Sequence, residues 1–120
     1  MNITESEQKI MKLLWEEGTL STMQLVERLK NDTNWSKHAV ISFLHRMEFK
    51  GLVAYEEKGR AKYYFALYNR EDVAKKERKS FLDNFYHGKL GLLVSSMIEE
   101  NSLSQDDIED LREILEKLNK

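Results

Sequence analysis

The chain has 120 residues, no cysteine and no proline, 19 Lys+Arg against 21 Asp+Glu, and a formal net charge of −2. That length suits one compact domain, or a small domain carrying an oligomerisation arm. The absence of cysteine excludes disulfides, thiolate zinc sites, iron–sulfur clusters and a cysteine nucleophile, and no apolar run approaches the roughly 20 residues of a membrane span.

At the N-terminus, Met1-Asn2-Ile3-Thr4-Glu5 lacks the basic and apolar regions of a signal peptide, so a soluble, cytoplasmic chain without membrane insertion is expected. Thr4-Glu5-Ser6-Glu7 reads as a capping box, followed by a helix with Ile10, Leu13 and Leu14 on one face and Gly18 as its stop. Ser21-Thr22-Met23-Gln24 repeats the signature and opens a short helix to about Lys30, with Leu25, Val26 and Leu29 inward. After a polar turn closed by Trp35, Ser36 caps a third helix whose Val40, Phe43, Leu44 and Met47 recur at helical spacing until Gly51. The period then changes. Leu52–Glu56 and Ala61–Leu67 read as two strands joined at Glu57-Lys58-Gly59-Arg60, a β-hairpin. Asn69 caps a fourth helix to Tyr86, a fifth runs from Lys89 to about Glu100, and Ser104 caps a sixth to the C-terminus.

Charge is unevenly spread along this order. From Arg28 to Lys62 eight Lys/Arg face four acids, giving +4, whereas from Glu99 to Glu116 eight acids face only Arg112, giving −7. Three helices followed by a hairpin inside the basic region is the order of a winged helix-turn-helix, in which the third helix enters the major groove and the hairpin touches flanking backbone. The expected fold is therefore mainly α with a small β-hairpin: a winged domain over residues 1–68 and a helical dimerisation region over 69–120. With the apolar face of the third helix inward, Lys37, His38, Ile41, Ser42 and His45 fall outward beside the Ser36 cap, with Arg46 at the edge. Together with Lys58, Arg60 and Lys62 on the hairpin they form the expected DNA-binding set. Taken singly, such features describe an ordinary surface helix and a solvated turn; their conjunction in one basic region points to duplex DNA.

The last fifty residues carry apolar stripes too few to close a core alone, with Phe81, Phe85, Leu93, Met97, Ile108, Leu111, Leu115 and Leu118 as the expected dimer contacts. A two-fold dimer packs such a stripe against itself and sets two reading helices about one DNA turn, ~34 Å, apart. The alternative is a monomer in which this segment folds back on the winged domain.

Three stretches, Thr4-Glu5-Ser6-Glu7…Leu14-Trp15, Trp35-Ser36-Lys37…Arg46-Met47…Lys50-Gly51-Leu52-Val53 and Gly59-Arg60-Ala61-Lys62-Tyr63-Tyr64-Phe65, resemble the BlaI/MecI/CopY penicillinase-repressor family. Lys79–Gly88 and Ile108–Leu115 are similar to the same family, so the resemblance covers nearly the whole chain. It implies a homodimeric winged-helix repressor on a double-stranded palindromic operator. In the β-lactam-responsive branch it also implies a membrane sensor with a metalloprotease domain, a partner that triggers cleavage of the dimerisation arm. Two departures narrow this. Family members often carry basic or hydroxyl residues where this chain has His38, Ala39 and Ile41, which implies a different operator sequence. The Asn-Phe bond cleaved in the fifth helix is matched here by Ser96-Met97, the candidate cleavage position, and the cysteine motif of the copper-responsive branch is missing.

No glycine-rich phosphate loop and no catalytic cluster at matched spacing is present, so no enzyme, no catalytic residue, no metal site and no cofactor is expected. His38 and His45 stand two helical turns apart, poor spacing for a shared metal; they read as polar surface or as base readers. The rival function is a dimeric protein-interaction module that keeps the winged scaffold without binding DNA.

Overall fold

Thr4 starts the first helix, α1 (Glu5–Glu17): its hydroxyl accepts from the Glu7 amide at 3.2 Å, and Glu7 Oε1 accepts in return from the Thr4 amide at 2.9 Å. The computed structural model describes residues 3–119. Met1 and Asn2, part of the stretch read for a signal peptide, and Lys120 lie outside the described residues. After α1 come β1 (Leu20–Ser21), α2 (Thr22–Leu29), α3 (Lys37–Phe49), β2 (Val53–Lys58), β3 (Ala61–Ala66), α4 (Arg70–Tyr86), α5 (Leu90–Glu99) and α6 (Gln105–Leu118). The backbone divides into two compact units, one ending at Glu77 and one beginning at Arg78, with α4 continuous through the division.

In the first unit, α1, α2 and α3 bury Ile10, Met11, Leu14, Leu25, Val40, Leu44 and Met47 against one another. Each is set inward by the 3.6-residue period. The end of α3 is fixed by chemistry as well as packing. The Gly51 amide donates to Glu48 O at 3.0 Å and the Leu52 amide to Met47 O at 2.9 Å, a Schellman closure requiring a left-handed residue at Gly51 (φ 77°). Leu52 and Met47, the pair that such a closure brings together, are both fully buried.

The sheet corrects two expectations. It has three strands in the order β1-β3-β2, where a two-stranded hairpin was expected; Leu20 pairs with Tyr64 and Ser21 with Tyr63. A two-residue strand carries no periodicity, so pairing with β3 alone defines it. The turn is also shorter than expected. Glu57 and Lys58 belong to β2, paired with Lys62 and Ala61, and only Gly59 and Arg60 form the loop. Gly59 takes φ 65° at the first loop position, as a two-residue type II′ turn requires.

One buried charge lies in this unit. The Glu7 side chain is fully enclosed, and its Oε1 also accepts from Lys50 Nζ at 2.7 Å, tying α1 to the end of α3. Burial pushes the Glu7 carboxyl upward, but the Lys50 hydrogen bond and charge and the two Thr4 hydrogen bonds outweigh it and hold the group below its ordinary value.

In the second unit, α5 and α6 and the later part of α4 keep apolar stripes, yet none of the described residues from 78 to 119 is buried. The Ser104 hydroxyl and the Asp107 carboxylate cap α6 reciprocally at 3.0 Å. Among the described residues, no helix is long and apolar enough to cross a membrane.

Candidate nucleic-acid interface

From its first residue, α3 presents one row of side chains spaced four apart, Lys37, Ile41 and His45. Beside it runs a second exposed row, His38, Ser42 and Arg46. The Ser36 hydroxyl accepts from the Ala39 amide at 3.1 Å and so starts the helix, while its O–H remains a donor on the exposed side. Trp35 backs the helix from behind, its ring 4.7 Å from that of the half-buried Phe43.

A groove opens between the first row and the hairpin. It is lined by Lys37, Ile41 and His45 from α3, Arg60, Ala61, Lys62 and Tyr64 from the hairpin, and Ser21, Thr22 and Met23 from the start of α2. Three full cations and a histidine face this groove, and among the described residues no carboxylate lines it. Such a surface attracts a polyanion.

Of the ten expected DNA-binding residues, the structure brings five into the groove: Lys37, Ile41, His45, Arg60 and Lys62. Ser36, His38, Ser42, Arg46 and Lys58 lie outside its lining. Arg46 places its guanidinium 5.5 Å from the Phe43 ring, and Lys58 its ammonium 5.6 Å from the Tyr63 ring. Lys62 sits tighter, 4.4 Å over Tyr55, which orients its head group and limits its rotamer freedom. The hairpin is fastened to α3 by the buried Tyr64, whose hydroxyl donates to Glu48 Oε1 at 3.0 Å. Burial, then the Glu48 hydrogen bond and charge, push the Tyr64 phenol well above its ordinary range, so it stays a neutral donor.

Sequence reasoning missed Ser21, Thr22 and Met23. The capping box at Ser21 and Gln24 locates the start of α2, but only the pairing of β1 with β3 sets that start beside the hairpin. Met23 stands 53% exposed there.

The expected dimer contacts divide in two. Phe81, Phe85, Leu111, Leu115 and Leu118 are exposed, whereas Leu93, Met97 and Ile108 are half-buried. Ile114, at 55% exposure, belongs with the first group and was not anticipated. Ser96 and Met97 are half-buried within α5, and the Ser96 hydroxyl donates to Leu93 O at 2.8 Å. Among the described residues no three His, Asp or Glu side chains gather to hold a metal ion.

The chain matches the penicillinase repressor family over residues 3–117. It is 29% identical over 115 residues to a penicillinase repressor from Bacillus licheniformis, covering 96% of this chain and 90% of that one. It is also 29% identical over 115 residues to the methicillin resistance regulatory protein MecI of Mammaliicoccus sciuri, covering 96% of this chain and 94% of that one. Among solved structures, its fold is similar to that of the Bacillus licheniformis BlaI monomeric form in complex with the blaP half-operator. The TM-score there is 0.53 at 24% identity, over 60% of this chain and 88% of that one.

Proposed function

The chain belongs to the penicillinase repressor family, and from that premise we propose that this DNA-binding transcriptional repressor acts as a cytoplasmic homodimer on a palindromic operator. The observation that carries the reading is the groove walled by Lys37, Arg60 and Lys62 without a carboxylate. In this reading α3 enters the major groove and the hairpin lies along the flanking backbone. Lys37, Arg60 and Lys62, with Lys58 and Arg46 at the margins, meet phosphate and set the register. Ile41, His45, His38 and Ser42 face the base edges and carry sequence preference. The reading gives no side chain a catalytic role.

The second unit supplies the dimer. Forty-odd residues without a single buried side chain do not hold a fold together by their own packing, and the exposed Phe81, Phe85, Leu111, Leu115 and Leu118 supply what a second copy would cover. A sensor protease that cut at Ser96-Met97 would separate the reading domain from α6. Because that bond lies inside α5, cleavage would require the helix to open first.

The test uses a duplex selected by the full-length chain from a random pool, with a scrambled duplex as comparison. Arg60→Ala weakens binding to both by a similar factor, as removal of a phosphate partner does, whereas His38→Ala changes which duplexes are selected. Equal effects of the two changes on every sequence would overturn the assignment of the reading face. Failure to enrich any duplex would overturn the function.

A further inference from the structure

The groove holds an element that phosphate binding does not use. Its lining combines the cations with apolar side chains: Met23 at the start of α2, Ile41 in the middle of the α3 row, and Ala61 beside the hairpin loop. Met23 is 53% exposed and Ile41 half-buried, so both present methyl and methylene surface to whatever fills the groove. Ile41 lies one helical turn from Lys37 and one from His45, where a base edge rather than a phosphate is met in a major-groove helix. We infer that Met23 and Ile41 together form a reader for the 5-methyl group of thymine, selecting thymine at one or two fixed positions of each half-site.

The inference rests on the DNA-binding reading above. Charge complementarity names the occupant: the rim of Lys37, Arg60 and Lys62 demands a polyanion, and in the major groove the apolar feature that a DNA duplex offers is the thymine methyl. Met23 suits the task, since an unbranched thioether chain adapts to a methyl without a fixed rotamer. Two side chains from different helices also fix the position of that methyl better than one, because β1 pairs with β3 and holds the start of α2 against the hairpin.

The probe is the duplex selected by the full-length chain, resynthesised with deoxyuridine in place of each thymine in turn, which removes only the methyl. Binding is followed by fluorescence anisotropy. At one or two thymines of each half-site, the unaltered protein should lose about fourfold in affinity, the worth of one buried methyl or methylene. In Met23→Ala, and separately in Ile41→Val, the thymine-to-uracil affinity ratio at the matching position should fall toward one. Met23 is half-exposed and outside the core, so its truncation leaves the fold intact. A purely structural role would weaken both duplexes alike and leave the ratio unchanged, and that result overturns the inference. Tight, salt-dependent binding with no loss at any deoxyuridine also overturns it, while leaving the DNA-binding reading in place. If no duplex is enriched, both fall together.

Discussion

Leu111→Asp should convert the repressor to monomers and remove tight operator binding. Leu111, Leu115 and Leu118 follow Ile108 along one stripe of α6, and their exposure rises from 36% to 59% to 75% toward the end of the helix. Nothing within the unit buries them fully, so in the proposed dimer the gain from covering them comes from the second copy. Covering one leucine contributes about 1.5–3 kcal/mol, and two-fold symmetry places the loss in both protomers. The buried carboxylate adds a desolvation cost of its own. A dimer dissociation constant raised by at least about a thousandfold follows from those terms. A lone winged domain then binds one half-site without the second, which removes an avidity factor of about a hundred or more. Sedimentation reads the first effect and anisotropy the second. Because Leu111 is the least exposed of the three, Leu115→Asp serves as the companion: it is freer in the single chain and should give the same monomer with unchanged helical content. An intact dimer in both variants would place the interface elsewhere.

The second large effect is on stability. Lys50→Met leaves the enclosed Glu7 carboxylate without its ammonium partner at 2.7 Å. Breaking a buried pair from one side is costly, and with 27% of the Lys50 side chain still exposed the loss should be about 2–4 kcal/mol. The pH dependence separates this from a change in packing. The carboxyl is held below its ordinary value of 4.5 in the folded protein, so the unfolded chain binds the proton more readily. The stabilisation is therefore complete above 4.5 and is lost as pH falls through the folded-state value. The difference in urea midpoint between the unaltered protein and Lys50→Met should narrow as pH drops below 4.5. Glu7→Gln, which keeps an acceptor for the Thr4 amide, should remove most of this acid dependence. A midpoint difference constant with pH would show that Lys50 matters here for its packing alone.

These two residues mark how far the sequence could be read. Glu7 is recognisable as half of a capping box because Thr4 is three residues away, and the other helix starts at Ser21, Ser36, Asn69 and Ser104 are legible for the same local reason. Its second partner is 43 residues distant, and no local pattern announces that pairing. The third-helix row Lys37, Ile41 and His45 follows from helical period once Val40, Leu44 and Met47 are inward. Met23 entered the groove only through β1, a strand of two residues defined by its partner. Long-range pairing made the difference in both cases. The net charge of −2 also changes meaning once the folded units are known. It includes the basic stretch from Arg28 to Lys62 and the acidic stretch from Glu99 to Glu116, which lie in different units, so the acidic total coexists with a groove that no carboxylate lines, among the described residues.

The central claim is that this groove binds duplex DNA through its cations. The most direct measurement is the affinity of the full-length chain for its selected duplex as salt is raised. If about six to ten phosphates are neutralised per dimer, log affinity against log salt should fall with a slope of roughly −5 to −9. Arg60→Ala should make that slope shallower by roughly one for each phosphate that the dimer no longer neutralises. A flat salt response, or no binding at low salt, would contradict the account.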